Sequence, residues 1–236
     1  MRVCIVGSGG REHALAHVLS RGAEVVVTPG NPGIPGSVAT PPEELDADLF
    51  VIGPEQPLVD GLADRLRKRG NLVFGPGADG ARLEGSKAWM KELLVEAGVP
   101  TARHGAFTDR AAALAYLDQM EDLFVIKTDG LAAGKGVLVT SDRSQAVEAV
   151  GEYLSGEAFG DAGRRVVIEE GLSGPELSVL AVCDGTTAVP LVPAQDFKRL
   201  SDGDLGPNTG GMGAFSPVPV ATADVVDSLM EDAVLP

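Results

Sequence analysis

Short apolar runs alternate with helical patterns through the first hundred residues, and this alternation constrains the fold more than any other feature of the sequence. The runs cover residues 3–6, 24–28, 49–52 and 72–74, with helical patterns such as 12–19 between them. Alternating strands and helices are typical of a parallel sheet. Each run ends in a turn rich in Gly or Pro, and such turns at the carboxyl ends of parallel strands form the ligand crevice of open α/β sheets. The pattern predicts an α/β domain over residues 1–100.

The pattern changes after residue 124. Apolar runs cover residues 124–127, 136–139, 165–168 and 177–182, with a helical pattern at 144–154. Strands joined by a tight Gly loop predict a small antiparallel α+β unit. Residues 195–219 are rich in turn residues and have no periodicity, so we expect a long loop there, a kind that is usually functional or disordered. A last helical pattern covers residues 223–235.

Composition excludes some classes of function. The formal net charge is −15, which argues against a nucleic-acid surface because nonspecific binding to phosphates needs a basic face. The apolar run at the N-terminus is too short for a secretory signal, and no stretch approaches the length of a membrane span. We therefore expect a cytoplasmic protein with no membrane or nucleic-acid partner. Cys4 and Cys183 lie in apolar runs and are expected to be buried free thiols.

The first glycine-rich loop, residues 7–13, follows a strand and opens a helix, so its N–H groups can hold an anion. A dinucleotide-binding loop would need Gly where Glu12 stands, and no acidic ribose ligand ends the second strand. A phosphate-bearing substrate other than a dinucleotide is favoured, with a purely structural turn as the alternative. His13 and His17 stand at i and i+4, but the sequence offers no third zinc ligand nearby.

The most informative segment is residues 125–137. A P-loop is disfavoured because Gly130 and Gly134 are one residue too close, Gly136 replaces the magnesium-binding Ser or Thr, and a strand follows. What remains is a Gly-rich loop with Lys127 at its base and Lys135 within it. Such a loop is suited to closing over a triphosphate, although a bare hairpin turn stays possible.

Two further patterns are ambiguous when taken alone. Lys87 and Lys91 lie one turn apart at the start of the predicted helix 86–97, which is typical of two solvated lysines. Residues 167–178 predict two strands around a sharp turn that carries three carboxylates. This connector could bind a purine and a ribose, or be a surface hairpin.

In combination these segments resemble the ATP-grasp superfamily, in which two lysines, a lid and a strand connector bind ATP. Three longer strings are similar to the phosphoribosylamine–glycine ligase family: Gly-Ser-Gly-Gly-Arg-Glu-His-Ala-Leu at 7–15, Asp-Gly-Leu-Ala-Ala-Gly-Lys-Gly at 129–136 and Gly-Pro-Asn-Thr-Gly-Gly-Met-Gly-Ala at 206–214. The resemblance runs in order along essentially the whole chain.

The resemblance implies a fold and an activity. The fold is a Rossmann-like, parallel-sheet α/β domain over 1–100, an ATP-grasp lid subdomain over 101–190 and the start of a larger α+β subdomain over 191–236. The activity is the ATP-dependent ligation of glycine to 5-phosphoribosylamine in purine biosynthesis, through glycyl phosphate, with Mg²⁺ or Mn²⁺, by a monomer. In this family the metal ligands, a Glu and an Asn, and a last domain follow the position of Pro236. We therefore expect no metal ligand within the chain and an incomplete catalytic site.

The resemblance also implies roles for individual residues. Catalytic roles fall on Lys87, Lys127, Lys135 and Asn208. ATP contacts fall on Lys87, Lys127, Gly130, Gly134, Lys135, Gly136, Glu169, Glu170, Leu172 and Glu176. Substrate contacts fall on Gly9, Gly10, Arg11, Gly53, Pro54, Glu55, Asp196, Asp204, Pro207, Asn208, Thr209, Gly210 and Gly211. Phe197 and Thr128 depart from the family's usual His and Ala, and neither departure removes a nucleotide-binding group.

Three alternatives stay open on the sequence alone. An ATP-grasp ligase could act on another carboxylate and amine. A noncatalytic nucleotide-binding module would share the same lysines and loop. A nicotinamide-dependent dehydrogenase is the third, although the first loop disfavours it.

Overall fold

The structure of the chain is a computed structural model that describes residues 1–121, 123–132, 136–157, 163–203 and 205–236, without the side chains of Pro207 and Asn208. These residues form two compact units, Met1–Met90 and Lys91–Pro236. The division at residues 100 and 190 that the sequence suggests stays a prediction. Within the described ranges, no helix is both long enough and apolar enough to cross a bilayer.

A four-stranded parallel sheet is the centre of the first unit. Its strands are β1 (Arg2–Gly7), β2 (Glu24–Pro29), β3 (Leu49–Ile52) and β4 (Leu72–Phe74). The strand order is β2-β1-β3-β4, and every neighbouring pair is parallel. The predicted parallel α/β sheet is therefore confirmed.

Helices cover both faces of this sheet. They are α1 (Gly10–Leu19), α2 (Glu55–Val59), α3 (Leu62–Lys68) and α4 (Ala78–Gly85). On β1, Ile5 packs in the same core as Ala16 of α1, whereas Cys4 packs in a second core with Leu62 and Leu66 of α3. Successive side chains of a strand point to opposite faces, so a sheet covered on both faces needs an unbroken apolar run rather than an alternating one.

The second unit has an antiparallel sheet. Its strands are β5 (His104–Phe107), β6 (Phe124–Thr128), β7 (Val137–Thr140) and β8 (Val166–Glu170). The strand order is β5-β8-β6-β7, with every pair antiparallel. This arrangement confirms the predicted antiparallel α+β unit.

Helices pack on one face of the second sheet. α5 (Lys87–Glu96) precedes the sheet, and α6 (Arg110–Leu117) and α7 (Arg143–Ser155) form a core with residues such as Ile126 and Ile168. Because side chains alternate along a strand, the opposite face carries Lys127 of β6 and Glu169 of β8. One face therefore belongs to the core, and the other holds charged groups.

The remaining chain forms two hairpins and a helix. The first hairpin pairs β9 (Ala181–Cys183) with β10 (Ala188–Pro190), and the second pairs β11 (Gln195–Ser201) with β12 (Leu205–Phe215). Helix α8 (Ala223–Leu229) continues into a π-helical turn, Met230–Val234.

The prediction of a long loop over residues 195–219 is wrong, because most of the segment pairs as β11 and β12. Apolar side chains of this hairpin, such as Phe197 and Leu205, are exposed, so no alternation of apolar and polar residues marks the strands. Irregular register between Phe197 and Ser201 further obscures the pattern. The strand predicted over 177–182 is also shorter, since regular pairing begins at Ala181.

The two cysteines differ in their surroundings. Cys4 is fully buried in β1, and burial raises the pKa of its thiol to about 11. Cys183, expected to be buried, is exposed at the end of β9. The prediction was wrong because the short hairpin that carries Cys183 leaves this position exposed, although it lies in an apolar run.

We expect Ellman's reagent at mildly alkaline pH to label one thiol in the folded protein and both after denaturation, because only Cys183 is accessible. Cys183→Ser should abolish the labelling of the folded protein, and Cys4→Ser should leave it unchanged. Rapid labelling of both thiols in the folded chain would contradict the burial of Cys4.

We expect Ile126→Ala to lower the free energy of unfolding by about 2–5 kcal/mol, because Ile126 is completely buried between the sheet and its helices. Urea unfolding followed by circular dichroism measures the change. Leu200→Ala, at an exposed position of β11, is the control and should change the free energy by less than about 0.5 kcal/mol. Equal losses for the two variants would argue against this core.

Candidate active site

A buried carboxylate joins two lysines on the charged face of the second sheet. Glu169 lies on β8 opposite Val125 of β6, and only 5% of its surface is exposed. Its Oε1 lies 2.8 Å from Lys127 Nζ, and its Oε2 lies 3.0 Å from Lys91 Nζ. We call Lys91, Glu169 and Lys127 the lysine–glutamate cluster.

The two lysines of the lysine–glutamate cluster differ in exposure. Lys91 projects from α5 and is 4% exposed, and its ammonium group also donates to Thr101 Oγ1 at 2.7 Å. The side chain of Lys127 is 25% exposed. Lys127 is therefore the member of the cluster that a ligand can reach most readily.

The charges of the cluster keep Glu169 ionised. Burial alone would favour the neutral acid, but the ammonium groups of Lys127 and Lys91 outweigh it and hold the pKa of the Glu169 carboxyl below its usual value. Two cations around one carboxylate leave one net positive charge. The cluster can therefore attract an anion even though the protein as a whole is acidic.

Lys91 is the member of this cluster that the sequence interpretation missed, since it was expected to be solvated. The position of Lys91 three residues after the apolar residue Ala88 could have indicated its burial. Ala88 is itself buried on α5. Residues three apart share one helix face. Lys87, the first residue of α5, is half-buried.

A pocket of about 580 Å³ opens beside the cluster. Val125 and Val139 of the sheet line it, together with Leu172 and other residues of the connector after β8 and with residues of β11. The sheet side of this pocket is apolar, whereas the side formed by β11 carries charged residues such as Asp196 and Lys198. Because Lys127 lies two residues from Val125 on the same strand face, the pocket and the cluster border one another.

Glu176, predicted to contact ATP, lines this pocket and is paired with Lys198 of β11. Lys198 Nζ also lies 3.1 Å from Asp196 Oδ2. Hydrogen bonds to Glu176 and then Asp196 raise the pKa of Lys198 above its usual value. The backbone carbonyl of Lys198 in turn accepts a hydrogen bond from Thr209 Oγ1 at 2.9 Å.

Glu170 and Gly136 hold local structure near the predicted ATP contacts. The carboxylate of Glu170 accepts the N–H of Arg103 at 2.7 Å. The carbonyl of Gly136 accepts the N–H of Thr128 at 2.9 Å, and a Cβ at position 136 would overlap Thr128 Oγ1. Glycine is therefore required where the lysine-bearing loop rejoins β7.

The remaining predicted site residues lie either outside the described residues or in and beside strands. Gly134, Lys135 and Asp204 lie outside the described residues, as do the side chains of Pro207 and Asn208. Thr209, Gly210 and Gly211 lie in β12, whereas a loop was expected at these positions. Gly130 follows β6 at the start of the glycine-rich segment.

A second pocket, of about 430 Å³, lies in the first unit at the carboxyl ends of the parallel strands. The predicted substrate residues Gly9, Gly10, Arg11 and Pro54 line it. Arg11 Nη1 donates to the carbonyl of Gly53 at 2.5 Å and lies 3.0 Å from Glu55 Oε1. The structure thus brings the loops after β1 and β3 together.

Glu12 accounts for the shape of this pocket. Its buried carboxylate accepts the N–H of Gly9 at 2.6 Å, at the N-terminus of α1. A Cβ at position 7 or 53 would overlap the Glu12 side chain. The carboxylate therefore fills space between two glycines, and its charge is favourable at this helix end. From the sequence, Glu12 was recognised as a departure from a dinucleotide-binding loop, but its role in shaping the pocket was not predicted.

No group of three or more His, Cys, Asp or Glu side chains suited to a metal ion occurs among the residues that the structure describes.

Arg11 and Glu55 interact directly, and a backbone hydrogen bond together with the Arg11 guanidinium holds the pKa of Glu55 below its usual value.

Comparison with known proteins finds relatives along the entire chain. It is 48% identical to a phosphoribosylamine–glycine ligase of Xanthomonas campestris and 47% identical to one of Pseudomonas aeruginosa. Both alignments cover 100% of this chain and 59% of the relative, so the chain spans less than two thirds of their length. The crystal structure of a phosphoribosylamine–glycine ligase from Thermotoga maritima matches with a TM-score of 0.83 and 37% identity, over 98% of this chain and 60% of that one.

Two family models divide the sequence between them. Residues 1–84 match the phosphoribosylglycinamide synthetase N domain, and residues 85–236 match the ATP-grasp (A) domain of the same family. The parallel sheet lies within the first range, and the lysine–glutamate cluster lies within the second. The chain belongs to the phosphoribosylglycinamide synthetase family.

Proposed function

We propose that this chain supplies the nucleotide-binding and substrate-binding parts of a ligase that joins glycine to 5-phosphoribosylamine at the expense of ATP. The observation that carries the proposal is the lysine–glutamate cluster beside a pocket with an apolar sheet wall and a polar wall, in a domain of the ATP-grasp family. A net positive charge next to a pocket with both apolar and polar walls suits an adenine nucleotide.

The proposed reaction has two steps. The carboxylate of glycine attacks the γ-phosphorus of ATP, which forms glycyl phosphate and releases ADP. The amine of 5-phosphoribosylamine then attacks the acyl carbon and displaces inorganic phosphate, which gives glycinamide ribonucleotide. Neither step needs a nucleophile from the protein, so the protein's tasks are positioning, neutralising charge and excluding water.

Each set of residues has a task under this proposal. Lys87 and Lys127 neutralise the α- and β-phosphates. Gly130, Gly134, Lys135 and Gly136 close over the triphosphate and protect the acyl phosphate from hydrolysis. Adenine lies against Leu172 and the backbone of Glu170. Glu169 was predicted to contact ATP, but its carboxylate is already engaged by two lysines, so the proposal gives it the role of holding Lys127 instead.

Glu176 binds the ribose only after its ion pair with Lys198 opens. The segment with Asp196, Asp204, Pro207, Asn208, Thr209, Gly210 and Gly211 lies near the acyl phosphate. Asn208 donates to the developing negative charge there.

Mg²⁺ bound to ATP usually has one or two protein carboxylates as ligands. Among the described residues no group of three or more His, Cys, Asp or Glu side chains is placed to hold a metal ion, and the proposal assigns no particular carboxylate to Mg²⁺. We therefore assign no step to the metal within these residues.

The pocket in the first unit is the proposed site for the 5′-phosphate of phosphoribosylamine. Arg11 provides a charge at its edge, and Gly9 and Gly10 open α1. Glu12 shapes this loop and keeps a negative charge where a dinucleotide pyrophosphate would bind. Under the proposal, a single phosphate draws the Arg11 guanidinium away from its ion pair with Glu55.

We expect Lys127→Ala to weaken ATP binding by about 1.5–3 kcal/mol, the range for hydrogen bonds to charged groups. This corresponds to an increase in Kd of about 10- to 150-fold, which isothermal titration calorimetry can measure. Lys68→Ala, at an exposed position of α3, should leave ATP affinity unchanged. Unchanged affinity in Lys127→Ala would rule out the assigned role, and saturable NAD binding without ATP binding would revive the dehydrogenase alternative.

We expect Gly53→Ala to weaken binding of ribose 5-phosphate, a stable analogue of the substrate, by about tenfold or more. The new methyl group would displace Glu12 and with it the loop that carries Arg11. ATP affinity should not change. Gly22→Ala is the matched control, since a Cβ there meets no atom within 4 Å. Loss of ribose 5-phosphate binding in both variants would point to a general loss of folding.

A further inference from the structure

Burial decreases along the lysine–glutamate cluster, from Lys91 through Glu169 to Lys127. Lys91 and Glu169 are almost completely buried, whereas a quarter of the Lys127 side chain is exposed. The ammonium group of Lys91 lies within 3.0 Å of both Glu169 Oε2 and Thr101 Oγ1. Lys91 is thus engaged away from any ligand and can influence one only through Glu169.

The two ion pairs of Glu169 determine how easily Lys127 can bind an anion. An anion that draws the Lys127 ammonium toward itself weakens the ion pair with Glu169. A buried carboxylate without a counter-ion is strongly unfavourable. Lys91 removes this obstacle, because Glu169 Oε2 keeps its partner when Oε1 loses one.

The net charge leads to the same conclusion. Lys127 and Glu169 alone would form a neutral pair with little attraction for phosphate. With Lys91 included, the cluster carries one positive charge, and the charge is presented by its most accessible member, Lys127. Lys91 therefore changes the electrostatic character of the site from a distance.

We infer that Lys91 is a positioning residue for nucleotide binding: it is the permanent counter-ion of Glu169, and so it frees Lys127 to bind the phosphates of an adenine nucleotide. This inference rests on the proposed function, because it assumes that the ligand of Lys127 is ATP. Lys91 itself touches neither the nucleotide nor the reacting atoms.

The test measures ATP affinity by isothermal titration calorimetry for the unaltered chain, Lys91→Met, Lys91→Arg and the double variant Lys91→Met/Glu169→Gln. Thermal melting of each variant checks that it is folded. Lys68→Met, at an exposed position, is the matched control.

We expect Lys91→Met to raise the Kd for ATP by about tenfold or more, because Lys127 must then stay with Glu169. Lys91→Arg keeps the charge and should restore the affinity to within about threefold of the unaltered chain. The double variant should bind ATP more tightly than Lys91→Met, because it has no buried carboxylate to neutralise. A purely structural role for Lys91 predicts no such recovery.

The outcomes separate this inference from the proposed function. If the unaltered chain binds no ATP, the proposed function fails and this inference fails with it. If the unaltered chain binds ATP and Lys91→Met binds equally well, only the role of Lys91 is overturned. The same holds if Lys91→Met and the double variant are folded and bind equally weakly.

Discussion

The second unit depends on how a carboxylate can be buried on the face of a sheet. Glu169 lies on β8 and is almost completely buried, so water has little access to its charge. The charge is tolerated because one lysine comes from the neighbouring strand and another from α5. This requirement ties α5 and the segment around Thr101 to the sheet, and it places Lys127 near the pocket lined by Val125. The side chains that stabilise the buried charge are therefore the same three that form the proposed nucleotide site.

In the first unit, a buried carboxylate lies at the N-terminus of a helix. The N-terminus of α1 has N–H groups without intrahelical partners, and in many α/β proteins a ligand's phosphate satisfies them. Here the buried carboxylate of Glu12 accepts one of them and fills the space between Gly7 and Gly53. Arg11, at the pocket edge, is paired with Glu55 and donates to the carbonyl of Gly53. Each unit therefore has a buried glutamate that organises the residues beside a pocket.

The sequence predicted the elements that are buried on a regular period. β1 to β3, α7 and the pairing of β6 with β7 follow from apolar runs and from turn residues, because burial imposes a pattern on the chain. β4 was predicted from its apolar run as well, although Leu72 and Phe74 are exposed. The hairpin of β11 and β12 was missed because exposed strands need no such pattern, and Cys183 was misjudged for the same reason. The lysines of the candidate site also divide into one that the sequence indicated and one that it did not. Lys127 stood out beside its glycine-rich loop, whereas Lys91 looked like an ordinary surface lysine.

The fold class of both units, and the segments that resemble nucleotide and substrate motifs, could be predicted from the amino-acid sequence. Strand and helix periods, glycine turns and long motif strings are local properties of the chain, so the sequence shows them directly. Which charged side chains meet depends on the packing of distant segments. Lys91 and Glu169 are 78 positions apart in the numbering, and their 3.0 Å contact depends on how α5 packs beside β8. Whether a lysine is a solvated cation or a buried counter-ion is a property of its neighbours in space, which no local pattern specifies.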